Sequence, residues 1–388
     1  MLSYDTIVVG LGAMGSATLY HLARRGQRVL GLEQFSAGHG LGSSHGDSRI
    51  IREQYFEHPL YVPLVQRSYH LWRELEAQTG RTLMTITGGL MIGRRDGMVV
   101  TGTIRSATEH GLPYEVLGPD EMRAQFPAFQ VARDLVAVFD PRAGFLNPDA
   151  CNAAHIDAAT SVGAEARFEE RVLEWTSDDD GVRVTTSTGQ YSARRLLLSA
   201  GAWNRGLVRG SNLPLTIERQ VLFWLDPDER TVSFDRESFP IFAYEYTPGS
   251  ITYGFPRLAR GVKASVMHGG EIAPRPEAVR RDVLDRDLQA LRAALRPVLP
   301  DLSEAPVRES GVCLFTNTPD HDFLVDWAPQ QVGALNAVSQ CRNVLVSSPC
   351  SGHGFKFASA LGEVQADLLT TGTCAFDISP FRLGRFTG

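Results

Sequence analysis

The sequence predicts a mixed α/β, more closely α+β, fold: a parallel βαβ unit interrupted by a mainly antiparallel sheet. Three observations carry that prediction. Residues 4–33 spell strand, glycine turn, helix and strand. Residues 343–369 repeat the strand, glycine turn and helix. Between them, residues 215–270 hold a series of strand-like runs joined by turns such as Thr247-Pro-Gly-Ser250.

The opening run, Asp5-Thr-Ile-Val-Val-Gly-Leu-Gly-Ala-Met-Gly15-Ser-Ala, reads as a buried strand, a tight turn and a helix start. Gly10, Gly12 and Gly15 supply G-x-G-x-x-G. The first permits the turn, the second lets backbone approach a pyrophosphate, and the third lets helix and strand pack closely. The helix N-terminus would then face phosphates with its unpaired N–H groups. Leu19, Leu22 and Ala23 give that helix an inward face, and Gly26 can end it. A second strand, residues 28–33, ends on Glu33, placed where a ribose hydroxyl would donate to it. A purely structural turn is the alternative, but strand, turn, helix, strand and terminal acid agree on a Rossmann-like dinucleotide site.

Composition bounds the rest. A chain of 388 residues suggests about two domains. With 43% hydrophobic and 21% charged residues it has the make-up of a soluble globular protein. The net charge of −6 gives no electrostatic case for nucleic acid. No apolar run approaches the ~20 residues that span a bilayer, so no membrane association is expected. The N-terminus lacks the basic segment of a signal peptide. Five scattered cysteines fit a reducing compartment better than a disulfide framework, and a cytoplasmic location is expected. Of 38 basic residues only Lys263 and Lys356 are lysines. Either two survived by chance, or a compact, pKa-adjustable ammonium is wanted at those positions.

After Glu33 comes a loop rich in Gly, Ser and His that carries His45, Arg49 and Arg52, with the arginines placed to share one side of a short helical turn. A solvated basic loop is the plain alternative. Residues 61–79 predict a helix with an apolar face of Leu64, Tyr69, Leu71, Trp72 and Leu75. Residues 87–93 and 136–140 read as strands, and 99–110 and 119–126 as helices. Residues 147–162 form a helix capped by Asn147 with Pro148 in first position. A hairpin turns at Asp178-Asp-Asp-Gly181. Residues 193–203 are a buried strand ending in small residues, and 276–299 an amphipathic covering helix.

Taken together, Gly10/Gly12/Gly15 with Glu33, Ser44-His45-Gly46 with Arg49 and Arg52, Tyr253-Gly-Phe-Pro256, Cys313-Leu-Phe-Thr316 and Ser351-Gly-His-Gly-Phe-Lys356 resemble the monomeric sarcosine oxidase / N-methyltryptophan oxidase family of flavoproteins. The likeness runs from near residue 4 to the closing Phe376-Asp-Ile-Ser-Pro-Phe381. It implies a Rossmann-like FAD-binding domain built from residues 1–84, 145–214 and 320–388. An inserted, mainly antiparallel substrate domain would comprise 85–144 and 215–319.

The resemblance also implies roles. FAD would be covalently joined to Cys313, whose plain reading is a small buried thiol at a strand end. Gly10, Gly12, Gly15, Glu33, Ser43, Ser44, Val172, Gly352 and Gly354 would line the cofactor. His45 and Arg49 would lie against its ring. Arg52 and Lys356 would share the carboxylate of an amino-acid substrate, for which the planar guanidinium offers two parallel hydrogen bonds. Lys263 would promote electron transfer to O2, because a fixed positive charge favours the developing anion. Both lysines of the chain thus fall where the family uses an ammonium.

Two departures bear on substrate. Four residues after Lys263 the family has a histidine; here Met267 stands there and His268 follows. On a strand His268 would point to the opposite face unless a bulge intervenes. Phe315 replaces a tyrosine. With Tyr253, these residues predict a bulkier or more apolar substrate than sarcosine. The expected activity is oxidation of an N-methyl or cyclic secondary amino acid to an imine, then aldehyde and amine, with O2 reduced to H2O2 by a monomer. The rivals are a dehydrogenase passing electrons to a quinone or protein, a flavoprotein subunit of a larger complex and, least supported, a nicotinamide-dependent reductase.

Overall fold

The computed structural model describes residues 3–208, 213–228, 232–332 and 337–386. Ser3–Val9 lies inside a sheet, parallel to Val29–Leu32 on one side and Gln190–Leu198 on the other, and its second half, Ile7, Val8 and Val9, is accordingly apolar. Glu165–Arg167 extends this eight-stranded sheet past Val29–Leu32, and the hairpin Val172–Asp178/Gly181–Thr186 extends it past Gln190–Leu198. Ala337–Ser348 also pairs in parallel with Gln190–Leu198, with Leu324–Val332 antiparallel to it. The last strand of the chain thereby joins the sheet of the first.

Helices cover that sheet. Ala13–Arg24 packs against Pro148–Ser161 and Ala358–Thr371, and Val62–Thr79 packs against the latter two. Their shared core includes Leu19, Leu22, Trp72, Ala154, Leu361 and Val364. Asn147 caps its helix by accepting from the Ala150 N–H, and Gly80 and Gly372 end theirs in the left-handed conformation. No helix among the described residues is long and apolar enough to cross a membrane.

A nine-stranded second sheet is antiparallel except where Ile241–Thr247 runs parallel to Gly89–Arg94. Near one end of it, Thr216–Leu225 pairs with Gly261–Met267 on one side and Val307–Asn317 on the other. A small third sheet pairs Gly144–Leu146 with both Arg49–Ile51 and Met84–Ile86.

Two local expectations are corrected. Arg49 and Arg52 do not share a helical turn: Arg49–Ile51 is a strand, because Gly144–Leu146 offers it a ladder. Residues 276–299 are not one helix. Only Asp285–Leu295 is α-helical, preceded by the 3-10 turn Pro276–Ala278 and followed by Pro300–Glu304. The buried Arg219 takes the carbonyls of Arg280 and Asp282 and pairs with Asp287, so the chain before the helix stays extended. Asp287 then accepts the Leu284 N–H and starts the helix there.

Candidate functional site

A cavity of about 960 Å³ is walled by both large sheets. On the parallel-sheet side its lining includes Gly10, Gly12, Glu33, Val172 and Ala200. Gly10 turns with φ +86, and a Cβ on Gly15 would stand 1.8 Å from the Gly10 carbonyl oxygen. Only glycine allows the helix to start so close to the strand. The first helical N–H, of Ala13, donates to Ser44 Oγ at 3.1 Å. Glu33 ends its strand only 6% exposed, accepting from the N–H groups of Leu11 and Phe35 with His39 at 3.5 Å. Burial alone would raise its pKa, but His39 and the two N–H donors outweigh it and hold the carboxyl below its usual range. This cradle fits the pyrophosphate and ribose of a dinucleotide: close backbone, a helix N-terminus and an ionised acid.

On the antiparallel side the lining includes Ile50, Arg52, Phe56, Tyr253, Met267, Phe315 and Lys356. Arg52 is 3% exposed, stacks over Phe56 with its guanidinium carbon 3.9 Å from the ring centre, and donates to Gln54 O at 2.9 Å. Its other nitrogen is held by Glu57 at 2.5 Å. Lys356 lies in the 3-10 turn Phe355–Phe357 and donates to His353 O at 2.8 Å. Burial, and then the neighbouring Arg52 charge, push its pKa down to about 7. The Glu57 carboxyl is raised by burial but more strongly lowered by Arg52, which donates to it, and by Lys356, so it is ionised. His353 Nε2 faces His321 O and its Nδ1 faces the Tyr55 hydroxyl. Those partners assign the proton to Nε2, and burial lowers the ring's pKa to about 4, keeping it neutral.

Cys313 sits mid-strand in Val307–Asn317, not at its end, with the thiol in the cavity wall. Arg49 Nη2 is 3.8 Å from its sulfur and donates to Ser43 O at 2.8 Å. The structure therefore gathers Ser43, Ser44, Arg49, Cys313, Gly352 and Gly354 into the same wall as the dinucleotide cradle. Gly352, at φ +80, leaves room for the Phe315 ring, which a Cβ there would meet at 2.8 Å.

Three expected residues lie behind this wall rather than in it. Lys263, 1% exposed, donates to Gly46 O and Ser48 O and sits 4.3 Å from the centre of the Phe255 ring. Burial, then Arg49, hold its pKa well below the usual lysine range. His45 is pushed down to about 3 by burial and by Arg49, so it is neutral, and its buried Nε2 has no partner among the described residues. His268 follows the last residue of Gly261–Met267 with φ +64. Its ring packs on Phe315 at 5.3 Å and His321 at 4.6 Å, and its Nδ1 meets Glu218 Oε2 at 3.1 Å. Met267, not His268, faces the cavity.

Sequence reasoning missed Glu57, His353, Tyr55 and His39. His353 lies inside the Ser351-Gly-His-Gly-Phe-Lys356 motif, where its position next to two glycines is the one signal the sequence offers. Glu57 had one signal, an acid five residues after an arginine whose burial demanded a partner.

Residues 5–368 match the DAO family of FAD dependent oxidoreductases. The chain is 42% identical over 382 residues to a monomeric sarcosine oxidase of Streptomyces avermitilis, covering 98% of this chain and 97% of that one. It is 35% identical over 388 residues to an N-methyl-L-tryptophan oxidase of Yersinia pestis, covering 99% and 100%. Its fold superposes on NikD, described as an unusual amino acid oxidase essential for nikkomycin biosynthesis, with a TM-score of 0.83, 27% identity and 98% of both chains covered. A dinucleotide cradle, a basic apolar-walled cavity and full-length likeness agree: this chain belongs to the FAD-dependent oxidoreductase family, in the branch of the monomeric sarcosine oxidases and N-methyltryptophan oxidases.

Proposed function

We propose that the protein oxidises the C–N bond of a secondary amino acid, N-methyl or cyclic, that carries an apolar substituent. The observation that carries this reading is the meeting of Arg52 and Lys356 with Ile50, Phe56, Tyr253, Met267 and Phe315 in one cavity. FAD supplies the two-electron acceptor. Gly10, Gly12, Gly15, Glu33, Ser43, Ser44, Val172, Gly352 and Gly354 would hold it, with Cys313 as the covalent anchor, Arg49 beside its ring and His45 behind the wall.

The chain's own groups bind and orient. The Arg52 fork takes the substrate carboxylate once Glu57 lets go, and Lys356 supplies a second, charge-assisted donor. Arg49, Arg52 and Lys356 together disfavour a substrate ammonium, so the amine is held neutral with its lone pair available. The apolar wall excludes water from the C–H bond that breaks. Two electrons and two protons leave the C–N unit, and the imine takes up water to give amine and aldehyde, or a ring-opened product from a cyclic substrate. O2 takes the two electrons and two protons as H2O2, and Lys263 stabilises the charge that develops on oxygen. His268 supports this wall from behind Phe315.

The same reading divides the chain into an FAD domain (1–84, 145–214, 320–388) and a substrate domain (85–144, 215–319). It takes the protein to be a cytoplasmic monomer, in keeping with cysteines that form no disulfide among the described residues. The test is anaerobic photometry of the holoenzyme with a panel of N-alkyl and cyclic amino acids. Bleaching of the flavin, and H2O2 on readmitting air, are expected. Absence of bleaching with every compound would overturn the activity, and bleaching with little peroxide would move the acceptor from O2 to a quinone or protein.

A further inference from the structure

Lys263 is held from both sides of a single residue. Its Nζ donates to Gly46 O at 2.7 Å and Ser48 O at 2.5 Å, the carbonyls that flank Asp47. Asp47 itself has φ 65, a conformation uncommon outside glycine but tolerated by Asp and Asn. Its carboxylate leaves the loop and reaches the antiparallel sheet. Oδ2 accepts the Trp224 indole N–H at 3.0 Å and lies 3.4 Å from Arg260 Nη1.

Both partners belong to the framework that carries Lys263. Trp224 is the residue directly opposite Lys263 between the strands Thr216–Leu225 and Gly261–Met267, and it faces Glu309 on its other side. Arg260 stacks on the Trp224 ring at 3.6 Å and pairs with Glu309. The buried indole and the stacked guanidinium thus form a fixed platform, and among the described residues Asp47 is the side chain that ties the loop to it, while Arg49 Nη1 steadies Ser48 O at 2.8 Å and Asp149 faces the Asp47 N–H.

We propose that Asp47 is the positioning residue of the oxygen side of the site: its carboxylate ties the 46–48 loop to Trp224 and Arg260, and so fixes the two carbonyls that hold the Lys263 ammonium. This rests on the reading of Lys263 as the group that promotes O2 reduction. A buried ammonium is useful only if its hydrogen bonds are satisfied and its place is kept. Arg49 also holds the Ser48 carbonyl, but only Asp47 among the described residues pins the loop to the strand beside the lysine, so that the two move together.

Charge acts in the same direction. The groups that act on Lys263 are Arg49 and Arg260, which disfavour its proton, and Asp47 and Cys313, which favour it. The nearby His45 is neutral. Losing the Asp47 carboxylate therefore lowers the Lys263 pKa further and moves any alkaline loss of oxygen reactivity to lower pH.

The experiment compares Asp47→Gly, Asp47→Asn and Lys263→Met holoenzymes. Glycine adopts φ > 0 freely, so its defect reports the lost tie and not backbone strain. Asparagine keeps an acceptor for the Trp224 N–H but loses the charge facing Arg260. In Asp47→Gly the oxygen rate of the reduced enzyme should fall about tenfold, with flavin reduction by substrate held within about twofold. Asp47→Asn should lose less rate but show the alkaline shift. Two readouts are independent of turnover: amide hydrogen exchange over residues 46–49, and acylation of Lys263 by an amine-selective reagent followed by mass spectrometry. Both should quicken in Asp47→Gly. Unchanged exchange, acylation and oxygen rate in Asp47→Gly would overturn the proposal. If Lys263→Met slows both half-reactions equally, the oxygen role of Lys263 fails instead, and exchange and acylation still decide whether Asp47 positions it.

Discussion

Arg52 and Glu57 form an ion pair within the cavity wall, with the guanidinium Nη2 2.5 Å from the carboxylate Oε2. Glu57 therefore occupies the fork that an amino-acid carboxylate needs, while its other oxygen has no partner among the described residues. A charge-assisted hydrogen bond of this kind contributes about 1.5–3 kcal/mol, and a substrate must replace it. Glu57→Gln weakens the competitor and keeps the shape. We expect the KM for an apolar secondary amino acid to fall about tenfold, with kcat changed less. The free protein should also lose thermal stability, because Arg52 keeps its charge in a buried place. A non-reactive carboxylate should restore more of the melting temperature in the variant than in the parent. Unchanged KM with parent-like stability would sink this view of Glu57.

Lys356 gives the site a pH dependence with a definite sign. Its pKa falls from the ordinary 10.5 to about 7 through burial and the Arg52 charge. Below about pH 7 it is a cation in the folded and the unfolded protein, and the cost of burying that charge is fully present. Between about 7 and the usual lysine range the unfolded state binds more protons, so this residue's contribution to stability rises with pH. Carboxylate binding runs the other way, since only protonated Lys356 attracts the ligand. Affinity for a non-reactive carboxylate, read from the flavin spectrum, should weaken as pH rises through about 7. Lys356→Met should bind weakly and without that limb. A flat profile in the parent would contradict it.

What could be read from sequence divides by distance along the chain. Gly10, Gly12, Gly15 and Glu33 were legible because turn, helix and acid all lie within one βαβ unit, where local geometry decides everything. Arg52 and Lys356 meet only because Ala337–Ser348 returns to the first sheet, and resemblance, not spacing, brought them together beforehand. The mistaken helix over 276–299 shows the converse. Its periodicity was sound, but Arg219, far off in sequence, takes the carbonyls of Arg280 and Asp282 that continued pairing would need. Within residues 45–52 the spacing of the arginines suggests a helical turn, but Arg49–Ile51 is a strand, and its partner Gly144–Leu146 lies nearly a hundred residues away.

Cys313 lies in the cavity wall beside Arg49, as a cofactor anchor must. Acid precipitation of the parent protein should leave the yellow colour in the pellet. Cys313→Ala should release it to the supernatant, or purify without it, while the fold persists because alanine fills most of a small buried site. Colour released from the parent itself would remove the covalent link and leave FAD bound by contacts alone.

Phe315 and Met267 should set substrate size. Phe315 packs between the edge of the His268 ring and Gly352, so it is backed by neighbours and cannot swing away freely. Phe315→Ala removes an apolar wall worth about 1–3 kcal/mol to a substituent that touches it. We expect kcat/KM for bulky apolar secondary amino acids to fall tenfold or more, and that for sarcosine to change about twofold at most. An equal loss for both would mean that the ring supports the cavity without touching the substituent. A ratio shifted toward sarcosine would place the substituent against it. Met267→His tests the same wall from Gly261–Met267, one strand further across the sheet: a polar ring there should favour small, polar substrates, because an apolar substituent would have to desolvate the imidazole to reach its place.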